Sequence, residues 1–315
     1  MSEISRVHAH GSVLAVVVAY EPDVALLDAV LSSVAGQVGE VLVFDNGSRQ
    51  ADVAGCVAGF GKRGIGNVAL HSSPTNVGIA SAINTGFESA RMHGFSHVLI
   101  LDQDSTVDAG MVEALMRALV ENKGKGVPVA AVGPQFEDRR TGSPAPFVKI
   151  GPLFNRKIFP LPDDVVEADF LISSGALIPI AVIDDIGGMD DALFIDNVDL
   201  EWSFRARHRG YRLLGVGNAR MGHAIGDKLR TVNLPGFTLD ISLHGPVRQY
   251  YMTRNRLTLY GRAETPWAWV TQDVPRLITK FLGMSLFVAP RLRNCRYMLR
   301  GARDALLGRL GPFRG

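Results

Sequence analysis

The chain has 315 residues, 47% of them apolar, a formal net charge of +2 and two cysteines. That length and apolar share support one large α/β domain or two small ones and exclude wholesale disorder. The near-neutral balance argues against a dedicated nucleic-acid binder. Cys56 and Cys295 lie far apart in sequence, which suggests neither a disulfide framework nor a cysteine zinc site and fits a reducing cytosol. The charge is uneven: from Arg248 to Gly315, thirteen Lys and Arg stand against Glu264, Asp273 and Asp304. No basic-then-apolar leader opens the chain. No apolar run reaches about 18 residues, so no membrane span is expected.

Ser12 to Tyr20 is a continuous apolar run ended by Glu21-Pro22, the pattern of a buried parallel strand. Asp23 caps a helix to about Ala35, with Val24, Leu27, Val30, Leu31 and Val34 at helical spacing. Glu40 to Phe44 is a second strand, stopped by Asp45-Asn46-Gly47-Ser48, and Val68 to Leu70 a short third. Val77 to His93 is a small-residue helix, His97 to Leu101 a fourth strand, and Asp108 to Val120 a helix. Strands alternating with helices predict a mostly parallel sheet with helices on both faces. Pro128 to Pro162, rich in Pro and Gly, reads as loops and short strands. Val198 to Arg209 reads as a helix, Tyr211 to Val216 as a strand, and Pro246 to Gly261 and Trp267 to Ala289 as C-terminal helices.

In such sheets ligands bind beyond the carboxyl ends of the strands. Three polar clusters fall there: Ala19-Tyr20-Glu21, Asp45-Asn46-Gly47-Ser48 and Asp102-Gln103-Asp104. Two carboxylates one residue apart at the end of a buried strand are costly unless a positive charge joins them. A hard divalent cation bridging a diphosphate would supply it. Alone, such a triplet is more often a turn or a helix cap.

Six stretches in order resemble the inverting family 2 glycosyltransferases of the GT-A fold, most closely their rhamnosyltransferase branch. They are Phe44-Asp-Asn-Gly-Ser48, Asn76-Val-Gly-Ile-Ala-Ser-Ala-Ile-Asn-Thr-Gly86, Leu101-Asp-Gln-Asp-Ser105, Phe170-Leu-Ile-Ser-Ser-Gly175, Leu193-Phe-Ile-Asp-Asn-Val-Asp-Leu-Glu-Trp202 and Tyr250-Tyr-Met-Thr-Arg-Asn255. Within that branch the layout looks most like the enzymes that add the second rhamnose to a rhamnolipid. The resemblance implies a GT-A catalytic domain over 1–245 and a basic helical region over 246–315.

It also implies roles. Asp104 would ligate Mg²⁺ or Mn²⁺, with Asp102 on the ribose or the metal's water shell and His223 a further metal or phosphate contact, or else, as a lone histidine more often is, a structural residue. Ala19, Tyr20, Asn46 and Gln103 would border the nucleotide. Asp45 would accept from a pyrimidine N–H or a ribose hydroxyl, or else cap its own turn. Asn76, Gly78 and Asn84 lie along a loop and helix whose glycine admits a ligand, or whose small residues pack on the sheet. Ser173, Ser174 and Gly175 would border the donor sugar. Arg254 and Asn255 would meet the donor pyrophosphate, or else lie on an ordinary surface helix. Inversion needs one carboxylate base. Asn197 stands where the family's aspartate aligns, so Asp196 or Asp199 must replace it; Asp196, in the loop before the helix, is favoured.

The implied reaction moves L-rhamnose from dTDP-L-rhamnose to a glycolipid or lipid-linked saccharide, preferably a mono-rhamnosylated hydroxyalkanoyl lipid. The alternative acceptor belongs to O-antigen or other cell-surface polysaccharide assembly. A sugar nucleotidyltransferase is a distant rival, since Ala19 to Pro22 lacks a Gly-rich, basic triphosphate loop. Leu277 to Ala289, apolar and flanked by Arg276, Arg291, Arg293 and Arg296, suggests either peripheral contact with an anionic membrane at the cytoplasmic face of the bacterial inner membrane or a helix packed on the catalytic domain with its arginines exposed.

Overall fold

A computed structural model describes residues 11–138, 143–223, 229–234, 237–242 and 245–315, with the side chains of 138, 223, 229–234 and 237–242 outside the description. The first half alternates β1 (Val13–Ala19), α1 (Val24–Val34), β2 (Glu40–Asp45), α2 (Val53–Lys62), β3 (Val68–Ser72), α3 (Ile79–Met92) and β4 (His97–Asp102). There follow β5 (Ser105–Val107), α4 (Met111–Gly124), β6 (Val129–Asp138), β7 (Ser143–Pro144), β8 (Phe147–Lys149), β9 (Arg156–Ile158), β10 (Val165–Ala168) and β11 (Leu177–Pro179). The chain continues through α5 (Ile180–Ile186), α6 (Val198–His208), β12 (Arg212–His223), the hairpin β13 (Leu229–Leu234) and β14 (Phe237–Ser242), and the helices α7 (Pro246–Tyr260), α8 (Trp267–Leu286) and α9 (Arg291–Leu306).

The main sheet runs β10-β12-β6-β11-β4-β1-β2-β3, with β5 on β12 and β7 on β6. β1, β2, β3 and β4 pair in parallel, as do β6 and β12. β11 runs antiparallel between β4 and β6, and β10 antiparallel to β12. The fold is α/β as expected, with a mixed rather than uniformly parallel second half.

β1 shows why the sheet is covered twice. Successive side chains of a strand point to opposite faces. Val13, Ala15 and Val17 enter one core with Leu27, Val30 and Leu31 of α1, Phe60 of α2 and Leu115 of α4. Leu14, Val16 and Val18 enter the other with Ile83 and Phe87 of α3, Ile183 of α5 and Phe204 of α6. Full burial of each valine, leucine, isoleucine or phenylalanine among them stabilises by about 1.5–3 kcal/mol. Asp23 caps α1 as expected, its carboxylate accepting from Ala25 and Leu26 N–H groups. α2 and α9 were not anticipated as helices. Leu259 of α7 and Trp269 of α8 join the second core, while Met284, Val288 and Met298 form a small cluster of their own between α8 and α9.

Candidate active site

A cleft of about 560 Å³ opens beyond the carboxyl ends of β1, β2 and β4. Its walls include Tyr20 after β1, Asn46 after β2, Asn76 and Gly78 before α3, Asp102, Gln103 and Asp104 after β4, and Ser173 before β11. The far wall is the segment Phe194 to Asp199 with Arg248 of α7.

The strand-end loops are tied to one another. Gln103 Oε1 accepts from Tyr20 N–H at 2.7 Å, and Asn46 Oδ1 from Val77 N–H at 2.8 Å. Asn76 Oδ1 accepts from Gly78 N–H at 2.9 Å. Gly78 has φ +88°, and a Cβ there would sit 2.6 Å from the Phe194 carbonyl oxygen. Glycine is therefore required for the start of α3 to touch the far wall. Further along α3, Gly86 lies against Val16, so the small-residue helix serves packing there.

The far wall is strained and gripped. Phe194, Asp196 and Asn197 have φ of 66°, 64° and 64°; such conformations cost of order 1–3 kcal/mol each. Three residues on one face of α7 hold them. Arg248 forks onto Asp196, Nη2 to Oδ1 at 3.1 Å and Nε to Oδ1 and Oδ2 at 3.2 and 3.3 Å. Tyr251 stacks on Phe194 with centroids 5.1 Å apart. Asn255 Nδ2 donates to the carbonyls of Leu193, Ile195 and Asp196 at 3.0, 2.7 and 2.9 Å.

Asp102, Asp104, Asp196 and Asp199 all line the cleft. Burial pushes the Asp199 carboxyl up from its ordinary 3.8 to about 6, with the charges of Asp196 and Asp102 adding to the rise and an N–H from Leu200 at 2.8 Å opposing it. Among the described residues Arg248 is the one lysine or arginine in this wall.

The structure departs from the sequence expectations in several places. Arg254 and Asn255 do not face the cleft; both are fully buried. Arg254 donates to Asn255 Oδ1 and to the carbonyls of Gly311 (2.6 Å) and Leu193 (2.9 Å), so its donors are already spent on the fold. Asn84 exchanges hydrogen bonds with Met189 and donates to Asp191 Oδ1, pinning the turn before the far wall. Asp45 accepts from Ser48 N–H at 3.0 Å, the turn-capping role. Ser174 is buried and accepts from Asp102 N–H at 3.0 Å, and Gly175 turns the chain with φ +80°. Ala19 is buried and holds Asn46 N–H through its carbonyl at 2.7 Å. His223 ends β12 opposite Ser105; its side chain lies outside the described residues. Glu201 is buried and ion-paired with Arg205 and Arg262.

Sequence reasoning missed Arg248. The available signal was its spacing: residues 248, 251 and 255 share one helix face, below a helix that opens with Pro246.

The fold and a carboxylate-lined cleft at the strand ends define a GT-A-type transferase. The structure is similar to that of GalNAc-T7 with UDP, GalNAc and Mn²⁺ (TM-score 0.60, 13% identity, 94% of this chain and 56% of that one). It is also similar to *S. aureus* TarS (TM-score 0.58, 15% identity, 94% and 49%). This chain thus spans about half the length of those two proteins. End to end, it is 27% identical over 314 residues to a *Shigella flexneri* protein named dTDP-rhamnosyl transferase RfbF, covering 97% of each. The family description "Glycosyl transferase family 2" matches residues 15–177, just over half of the chain. The chain belongs to glycosyl transferase family 2 and is a glycosyltransferase.

Proposed function

We propose that the protein transfers L-rhamnose from dTDP-L-rhamnose, with inversion, to a hydroxyl of a lipid-borne saccharide at the cytoplasmic face of the membrane. The observation that carries the reaction is the cleft itself: four carboxylates and one guanidinium at the carboxyl ends of the central strands. Similarity to the *Shigella flexneri* dTDP-rhamnosyl transferase supports the donor.

In this reading the acceptor hydroxyl gives its proton to the Asp196–Asp199 pair as its oxygen bonds to the anomeric carbon and the bond to the nucleoside diphosphate breaks. Arg248 turns its guanidinium to the leaving diphosphate, a geometry suited to two-point contact. Tyr20, Asn46 and Asn76 border the nucleoside, and Ser173 the sugar.

The donor set also fits a divalent cation. Among the described residues no three His, Cys, Asp or Glu side chains form a complete cage, but Asp102 and Asp104 are hard oxygen donors one residue apart in the cleft wall. Mg²⁺ or Mn²⁺, which typically take one or two carboxylates and complete their shell from substrate phosphates, would be held by Asp104 and Asp102. Bound there, the ion neutralises charge on the departing diphosphate. The Mn²⁺ of the GalNAc-T7 structure supports this.

Two acceptors are in view. The motif pattern prefers a mono-rhamnosylated hydroxyalkanoyl lipid; the end-to-end similarity to the *Shigella flexneri* relative favours a lipid-linked saccharide of O-antigen or related assembly. The test offers each acceptor with dTDP-L-rhamnose and Mg²⁺ and follows dTDP release and product mass. Rhamnosyl product with either confirms the donor and selects the acceptor. Asp104→Ala and Asp196→Asn are each expected to abolish transfer with the fold intact. Failure of the wild-type protein to bind dTDP-L-rhamnose at all overturns the donor assignment.

A further inference from the structure

α9 buries Asn294, Met298, Gly301 and Asp304. Its seat is tight: a Cβ on Gly301 would lie 2.5 Å from the Tyr250 carbonyl oxygen of α7, and Asn294 Nδ2 donates to the Val288 carbonyl at 2.9 Å. The opposite face is therefore fixed outward. It carries Leu292, Leu299 and Leu306, 88%, 55% and 85% exposed. They recur every seven residues, two helical turns, and so form one stripe. Arg296 and Arg303 lie within the same face.

Between 291 and 314 the chain has seven arginines and one acid, Asp304. Asp304 is taken by Arg300 and Arg303. Among the described residues, no carboxylate pairs with Arg291, Arg293 or Arg296. Leu292, Arg293, Arg296, Tyr297, Arg300 and Phe313 line a second concavity of about 420 Å³. At the turn into α9, Leu286 and Phe287 are also exposed.

We infer that the outward face of α9 docks the protein on an anionic phospholipid bilayer, the leucines entering the headgroup boundary and the arginines meeting lipid phosphates. A helix with an apolar stripe, a strongly basic flank and too little apolar length to cross lies in the interface plane. No helix among the described residues is long and apolar enough to cross a membrane. Charge excludes the obvious rival, a second copy of the chain, because pairing two such faces opposes arginines with arginines. The stripe of leucines has no counterpart in a nucleic-acid backbone.

The docked face connects directly to the cleft. Five residues beyond Leu306, Gly311 donates its N–H to the Ala192 carbonyl at 2.7 Å, and Arg254 holds the Gly311 carbonyl. Docking through α9 would hold the far wall of the cleft at the bilayer, which has a purpose only if the acceptor is lipid-borne, as proposed above.

The test is co-sedimentation of the full chain with phosphatidylcholine vesicles, with and without phosphatidylglycerol, in the absence of donor and acceptor. Binding is expected only with phosphatidylglycerol, reversed by high salt. L292S/L299S/L306S is expected to bind at least tenfold more weakly, and R293Q/R296Q to lose binding at lower salt than wild type. Circular dichroism and transfer to a soluble acceptor should be unchanged in both, since these residues are exposed and none of them lines the cleft. Wild-type protein left in the supernatant at low salt overturns the inference. So does a leucine variant that sediments like wild type, or one that merely converts a dimer to monomers. None of these outcomes bears on the donor or on transfer in the cleft, so the two readings fail separately.

Discussion

Replacing Asn255 by alanine removes the polar anchor beneath the strained wall of the cleft. Its Nδ2 carries two hydrogens and serves three carbonyls, those of Leu193, Ile195 and Asp196, so two good hydrogen bonds are lost. Its Oδ1 also accepts from the Arg254 guanidinium at 2.9 Å. At about 0.5–1.5 kcal/mol for each neutral bond and about 1.5–3 for the one to a charge, the loss is about 2.5–6 kcal/mol. Asn255 is fully buried, so water repairs little of it. Against a typical total of about 5–15 kcal/mol, this is large. With the anchor gone, Phe194, Asp196 and Asn197 can leave φ near +65°, and turnover should fall at least a hundredfold. Urea unfolding measures the first effect and kcat with saturating donor the second. Asn255→Asp is the control: it keeps the shape and the Arg254 contact but turns an acceptor toward three carbonyls, so it should also lose turnover. An alanine variant within 1 kcal/mol of wild type and turning over normally would refute the anchoring role.

Arg248→Ala should weaken donor binding about tenfold or more by removing the guanidinium from the cleft, while Arg248→Lys, which keeps charge but not the fork, should recover only part; equal donor affinity in all three sinks the diphosphate role. The Asp199 carboxyl ionises near 3.8 when ordinary and near 6 in the fold, so between those values the folded chain holds the extra proton. Metal-free stability should then fall as pH rises from about 4 to about 6. Asp199→Asn should flatten that slope in pH-dependent denaturation, and an unchanged slope would show that the burial is not felt. Mg²⁺ should tighten dTDP-L-rhamnose binding in calorimetry, since a diphosphate otherwise enters a cleft of four carboxylates and one guanidinium; equal affinity in chelator argues against the cation.

The first half of the fold was legible because its strands are uninterrupted apolar runs with polar stops. α2 was not, because Gly55, Gly59 and Gly61 lower its helix propensity by about 1 kcal/mol apiece relative to alanine. Burial of Val53, Cys56, Val57 and Phe60 on one face outweighs that. Gly133 and Pro134 similarly disguised β6, where pairing to β12 decides the matter. At the site, Asp102 and Asp104 could be read from their place after an apolar strand, whereas Asp196 and Asp199 were reached through the resemblance to the family. Arg254 was misread for a physical reason. A guanidinium in a motif invites a phosphate, yet an Arg between two tyrosine rings, with carbonyls at its donors, is equally stable inside the protein.

That exchange of roles bears on where the catalytic unit ends. The far wall holds both candidate bases, and its backbone is held by local hydrogen bonds, by Ile79 N–H on the Phe194 carbonyl and by the C-terminal helices. Arg248, Tyr251 and Asn255 grip it from α7, Arg254 ties it to Gly311, and Gly311 returns a hydrogen bond to Ala192. The same helix receives Phe313 N–H on the Tyr251 hydroxyl at 2.6 Å. A chain cut after residue 245 would keep the sheet, the nucleotide side of the cleft and all four aspartates, but would leave three residues at positive φ without these C-terminal restraints. The C-terminal helices therefore hold the proposed base in position as well as carrying the basic face. The wall residues depend on partners about 50 to 120 residues away, which is why local sequence around Asp196 could not reveal what orients it.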